Sequence, residues 1–559
     1  MSFFGPIALR QQVGKESMNF WQIRILPVTL LGALLSGCGS DSSNSSPAEP
    51  SRLEPNQRYD LLYRATFGPT PNSYQQMASV GYQSWLDQQF SMPPSFHLPL
   101  LQSYVIEGDT PTQSDRVAVW WHQANHAPDQ LRQRVAFALS EIFVVSRYGA
   151  SLNGRAQELT HYYDMLLEHA FGNYRDLLEA VTRHPVMGDY LSMMANQHAD
   201  PQKNRFPDEN YAREVMQLFS IGLYQLNQDG TPLLNNGALL PTYSQDDIEN
   251  LARVFTGWHL ADKSNGSWTS KQGDWFQAMA PYADKHDSDE KFVMGERFPA
   301  GQSIEQDMAQ AMAMLTNHPN TGPFIARLLI QRLVTSNPSP QYVERVALAF
   351  NDNGNGIRGD LKAVIQAILL DPEALNGPTE RLKEPLISMA NLYRALEAKS
   401  ADPTGRYHNS NGTFFAFGQA PLSSPSVFNF FSPDYAPNAQ MKEKGLVAPE
   451  FQILSWNNFI NISNQMWSAT GNSQYDSEEN PKKIVVNLAP LEALANDHPA
   501  LIAELSRRFL SEQISPELAL IIEQNLNQLK EHQQNTKVRN ALHIILNSQE
   551  FHTEVSNAW

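Results

Sequence analysis

Apolar residues recur three and four positions apart along most of the chain after Arg58, a period that admits helices and little else. RYDLLYRATFGPTP carries this pattern to Gly68-Pro69, where a helix must stop, and Asn72 or Ser73 stands ready to cap the next one. SYQQMASVGYQSWLDQQF predicts two short helices hinged near Gly81. Gln130 to Ser146 reads as a single helix with Val135, Leu139, Ile142 and Phe143 on one side. HYYDMLLEHAFGNYRDLLEAVTRHPVMGDYLSMM is a string of helices cut at Gly172 and at His184-Pro185. Hydrophobic residues make up 42% of the 559, enough to fill a core. The expected fold class is mainly α: a large multi-helix body with irregular loop insertions and one candidate small β-hairpin.

The insertions stand out by losing the helical period. Residues 264–300 include NGSWTSKQGDWF and HDSDEKFVMGERF and read as an inserted loop region with one candidate hairpin. Residues 400–449, rich in proline and aromatics, suit a segment that covers the helices. Trp268, Trp275, Phe414, Phe415, Phe428, Phe430 and Phe431 either line a binding surface there or fill core. An internal echo links HPNTGPFIARLLIQRLVTSNPSPQYVERVALAF to HPALIAELSRRFLSEQISPELALIIEQNL. Each begins His-Pro and reaches a Ser-Pro helix start, at Ser339-Pro340 and Ser515-Pro516. Each then runs on to an apolar helix followed by Glu373 or Glu550. The expected domains are a helical body over 58–470 and a C-terminal helical segment, 471–559, echoing 318–375.

The amino end gives an address. Arg24 precedes the apolar run ILPVTLLGALL, and Leu35-Ser36-Gly37-Cys38 resembles a bacterial lipobox. Cys38 is the only cysteine, so no internal disulfide or cysteine-rich metal site is available. Residues 1–37 are expected to be a lipoprotein signal peptide, with translation starting at Met1 or Met18. Cys38 is then the lipidation site, carrying an N-terminal diacylglyceryl and acyl lipid, with 38–57 a Ser-, Asn- and Pro-rich flexible tether. Cleavage removes Arg10, Lys15, Glu16 and Arg24, so the mature chain is more acidic than the full-length charge of -17. That charge, with no basic stripe, argues against nucleic acid as a partner. Gly39 after the cysteine favours the outer membrane over the inner one.

Several stretches together resemble the bacterial family catalogued as domain of unknown function 1800. They include RYDLLYRATFGPTP, LRQRVAFALSEIFVVS, PDENYAREVMQLFSIGLYQLN, YSQDDIENLARVFTGW, HDSDEKFVMG, RGDLKAVIQAILLDPEA and GQAPLSSPSVFNFFSPDYAP, in order from Arg58 to Pro437. The resemblance implies an exported, mainly helical protein. Genes of the family often neighbour those of an exported family related to phosphatases and sulfatases, which the resemblance offers as a partner. It brings no agreed catalytic residues, and it often has Glu where this chain has Gln217.

Four constellations carry candidate chemistry. Asn210, Arg213, Glu214 and Gln217 share one side of a helix that Asp208 can cap and Gly222 can end. They are either a polar site with Glu214 as acid or base, or an ion-pair network between helices. His286 and Asp287, with Lys291, are either a proton-transfer or metal pair, or a capped turn. Glu158, His161, Asp164 and Glu168 fall on one helix face; without a second ExxH they are expected to be a solvated face. NDNGNGIRGD mimics a calcium loop but has Lys362 where the loop needs glutamate, so a glycine-rich turn is expected. No metal or cofactor is expected apart from the lipid. The functional expectation is a lipid-anchored envelope protein serving as an accessory or binding protein for an exported partner or envelope polymer. The alternative is an envelope hydrolase or transferase with a site near the 210–217 helix and the 286–291 loop.

Overall fold

Every residue of the Gln130–Ser140 helix is buried, and the surrounding helices are laid against it. The computed structural model describes residues 53–105, 108–149, 151–262, 267–377, 379–408, 417–471 and 483–556. Cys38, the leader, most of the tether, Met18, Phe414 and Phe415 lie outside them. The described chain is mainly α-helical, with short strands only in two-stranded pairs. Residues 50–559 form one compact unit whose apolar core runs from Leu61 to Phe551. Among the described residues no helix is long and apolar enough to cross a membrane.

A fully buried helix containing two arginines needs partners for them. Arg132 donates to the Leu167 carbonyl at 3.0 Å and Arg134 to the Arg332 carbonyl at 2.6 Å. Both carbonyls lie in the last turn of a neighbouring helix, Ala156–His169 and Thr321–Leu333, where intrahelical donors run short; among the described residues Leu167 otherwise accepts only a long bond from Ala170 N at 3.4 Å. The device recurs. Arg394 donates to the carbonyls of Gly68, Ala124 and Asn125, Arg508 to Ala395, and Arg358 to Thr316. Buried and half-buried guanidinium groups thus satisfy carbonyls at or just beyond helix C-termini across the body.

Gly81, at φ 80, does separate the Pro71–Val80 and Tyr82–Ser91 helices. Thr70, not Asn72 or Ser73, caps the first of these: its hydroxyl accepts from Ser73 N, and Ser73 Oγ accepts from Thr70 N. The helix expected over 130–146 stops at Ser140. Ile142 and Phe143 both bond back to the Leu139 carbonyl, and Ser146 Oγ is drawn away to the Ser424 carbonyl. The expected hairpin is present, Lys291–Val293 against Glu296–Phe298, turned by Met294 and Gly295 at positive φ. A second hairpin, Leu234–Asn235 against Ala238–Leu239, was not anticipated, although Asn236-Gly237 is the commonest signature of such a turn.

The two Ser-Pro starts are built alike. Ser339 caps Pro340–Asn351 and Ser515 caps Pro516–Leu526. Glu373 accepts from the backbone N–H and hydroxyl of Ser339, and Glu550 does the same for Ser515. Each glutamate sits in a short helix, Pro372–Asn376 or Gln549–His552, followed by a strand. Those strands, Thr379–Leu382 and Thr553–Ser556, pair antiparallel with Arg381 opposite Glu554. The 417–449 stretch runs over the helices in turns and a short helix, Ala439–Glu443, held by Arg116 on the Pro421 carbonyl and by Arg147 N on the Leu422 carbonyl.

Candidate functional site

An open cavity of about 390 Å³ lies between the C-terminal end of the central helix, the Thr321–Leu333 helix, the loop after Gln217 and the covering segment. Phe324, Tyr224 and Phe428 contribute aromatic wall, and Gln217, Gln331 and Asn429 contribute amides. Its floor holds Glu141 and Arg332, only 5% and 3% exposed.

The Arg332 guanidinium approaches Glu141 at 3.6 Å, close enough for charge attraction but too far for a hydrogen bond. It lies 4.7 Å from the Phe431 ring centroid. Its Nε and Nη1 atoms are buried and have no hydrogen-bond partner among the described residues. Buried donors of this kind are rare because each loses its water without replacement. Glu141 also meets Asn429 Nδ2 at 3.2 Å and the Glu384 carboxyl. Two carboxylates in contact cannot both ionise cheaply. Burial first, and Glu384 second, hold Glu141 well above the usual carboxylate range despite Arg332.

Behind the floor the charges continue. Glu384 bonds Arg381 at 2.6 Å and accepts from Gln419 Nε2 at 2.6 Å. Arg381 also meets Glu450 at 3.3 Å, and burial pushes the Glu450 carboxyl up to about 7. The cluster therefore gathers three glutamates and two arginines from distant parts of the chain. Sequence reasoning missed all five. The available signal was a lone charge inside an apolar stretch, as in FALSEIFVV, LLIQRLV and APEFQIL.

The residues singled out from sequence fare differently. Asn210, Arg213, Glu214 and Gln217 share a side of the Asn210–Gln217 helix but not an environment. Asn210 is exposed, and Asp208 accepts its N–H. Arg213 pairs with Glu209 at 3.0 Å and reaches Gln245. Glu214 is turned inward near Tyr190 and Tyr243, and burial raises its pKa. Gln217 alone lines the cavity.

His286 is buried against Thr256 and 3.2 Å from Asp307, which also takes Lys291 Nζ at 2.7 Å. Asp287 is held bidentately by Arg253 at 2.8 and 3.0 Å. Glu214 and His286 have no partner in common among the described residues. The expected solvated face at 158–168 is not one. Asp164 is buried, accepts the N–H groups of His97 and Leu98, and is pushed up to about 7 by burial. It caps a helix from another part of the chain, His97–Ser103, which periodicity does not reveal. His161 meets His184 at 3.0 Å. In the 351–360 turn, Asp352 and Asn353 accept backbone N–H groups and Asp360 caps Leu361–Leu369. Among the described residues no group of three or more His, Cys, Asp or Glu is placed to hold a metal ion.

Neither the curated proteins nor the solved structures contain a match to the chain. A family model does match, over residues 60–553, nearly the whole described body with its floor pair and both Ser–Glu clasps. The chain belongs to the family described as Protein of unknown function (DUF1800).

Proposed function

We propose that this is a lipid-anchored protein of the bacterial cell envelope that holds a hydrogen-bond-accepting group over Arg332. The group belongs to an exported partner or to an envelope polymer, and the protein serves as its accessory or binding protein. One observation carries this reading: a buried guanidinium with two unbonded donors, on a residue that lines an open cavity. Nε–H and Nη1–H leave the guanidinium from different edges, so a carboxylate, phosphate or sugar oxygen would satisfy one of them and a second acceptor of the same ligand the other. Glu141 beside it retains its proton into the neutral range, so the floor does not repel an anion. The apolar run before Cys38 supports lipidation there, and Gly39 supports the outer membrane. An exported phosphatase- or sulfatase-like neighbour is the proposed protein partner.

Affinity capture of the lipidated chain from envelopes tests the reading. A partner or polymer should copurify with the wild type and fall at least tenfold with Arg332→Met at equal yield. Equal recovery from both would remove the cavity from the function. Cys38→Ser should abolish fatty-acid labelling, and persistent labelling would refute the anchor.

A second reading, an envelope hydrolase or transferase, is favoured by the protonated Glu141 carboxyl at the cavity floor, which could act as a general acid. Its site is then this cavity, and Gln217 is the member of the sequence-derived set that touches it. Turnover of an envelope polymer by the pure protein, lost in Glu141→Gln with binding retained, would promote it over the accessory role.

A further inference from the structure

The Trp456–Gly471 helix contains no ionisable side chain, yet it displays large apolar ones. Trp456 is 83% exposed, Ile460 54% and Trp467 38%. At 3.6 residues per turn, Trp456 and Trp467 fall within about 20° of each other around the axis and roughly 16 Å apart along it. Asn457 and Asn464 are exposed beside this line.

At its far end the line opens into a second cavity of about 370 Å³, separate from the Glu141–Arg332 floor. Asn464, Trp467, Asn525, Asn540, His543 and Ile544 line it. Arg539 packs on the Trp467 ring at 4.1 Å, and His543 meets it at 5.0 Å, fixing the indole. Asn540 donates to Asn525 Oδ1 at 3.1 Å, which leaves Asn540 Oδ1 as an acceptor and Asn525 Nδ2 as a donor. Asn547 Nδ2 lies 3.1 Å from His543 Nδ1, so that nitrogen accepts and the His543 proton sits on Nε2. Burial, then Arg539, hold His543 below the ordinary histidine range, so the lining is uncharged at neutral pH. Among the described residues, the Trp467 indole N–H and the Asn464 side chain have no hydrogen-bond partner.

We propose that the Trp456–Trp467 line and the asparagine-lined cleft beside Trp467 bind an extended neutral polysaccharide, spanning three or more sugar units. Sugars present an apolar C–H face to an indole and paired hydroxyls to a side-chain amide, which both donates and accepts. A lipid surface fits less well, because the asparagines and His543 would lose water with no partner in return. An anionic polymer is disfavoured by the chain's charge of -17. This site is independent of the Arg332 cavity and stands or falls separately.

The test is affinity electrophoresis of the full-length, detergent-solubilised chain in gels cast with a neutral β-glucan, chitin oligomers or an α-glucan. Tryptophan fluorescence follows titration with the matching tetrasaccharides. Wild type should be retarded by at least one glycan. Trp456→Ala, a change at an exposed position that should leave melting unchanged, should weaken binding several-fold. Trp467→Ala and Asn540→Asp should weaken it tenfold or more, while Arg332→Met leaves it intact. The proposal is overturned if no glycan retards the wild type, or if both tryptophan variants bind as wild type does. It is equally overturned if phosphatidylethanolamine–phosphatidylglycerol vesicles capture Cys38→Ser in a Trp456-dependent manner while the glycans do not bind.

Discussion

At the scale of single residues, the molecule's character lies in charges placed where water is scarce. Arg394 shows the stabilising form: it is buried, yet it donates to the carbonyls of Gly68, Ala124 and Asn125. Burial pushes its pKa down to about 9, so it stays charged at neutral pH. Glu450 is the costly form. Its ordinary value is 4.5 and its folded value is raised to about 7, chiefly by burial. A carboxyl raised in the folded state binds its proton more tightly there than in the unfolded chain. Its stabilising contribution is therefore complete below about 4.5 and is lost as pH rises through about 7. Glu450→Gln cannot ionise, so its stability relative to wild type should improve from pH 5 to pH 8, on the order of 2 kcal/mol. Urea unfolding of both proteins at several pH values checks this, and a pH-independent difference would contradict it. His97, His126 and His552, held at about 4 by burial, act in the opposite sense. Each costs stability as pH falls from about 6.5 towards 4, so a wild-type profile alone would conceal the glutamate.

At the scale of elements, the most informative construction is the Ser–Glu clasp. A serine N-cap satisfies one orphan N–H of its helix, and the glutamate fixes both the serine backbone and its hydroxyl. The start of one helix is thereby locked to a short helix far along the chain. Glu373→Gln and Glu550→Gln each remove one charged acceptor and should each cost about 1–2 kcal/mol. The double variant should cost about the sum, because the clasps share no residue. Denaturant unfolding of the three variants checks this, and a double variant no worse than either single one would show the clasps to be one unit. The clasp glutamates and Ser-Pro starts were readable in sequence as an echo, but the contact between them was not. Periodicity reports a residue's relation to its own helix and says nothing of the element packed against it.

At the scale of the whole molecule, the candidate site is assembled from segments separated by most of the chain. Arg381 lies on the Thr379–Leu382 strand, whose partner is the C-terminal strand Thr553–Ser556. The end of the chain therefore buttresses the segment that carries Arg381 and leads into Glu384. Truncation after His552 should leave the helices in place but raise amide exchange across residues 379–384. It should also weaken whatever the Glu141–Arg332 cavity binds. Unchanged exchange in the truncated chain would mean that the pairing is dispensable.

Apolar spacing, Ser-Pro starts and the Gly81 hinge are local, because a helix or its break is dictated by residues a few positions apart. The mainly helical class, most breaks between helices and one hairpin were therefore determined by the sequence by itself. The candidate site was not. Glu141 looks like any glutamate at the end of a helix until Glu384 and Arg332 are brought beside it and water is removed. Glu214 and His286, conspicuous in the sequence, turn out to serve separate neighbourhoods. Only the tertiary structure decided which charges are buried together, because burial depends on elements hundreds of residues away.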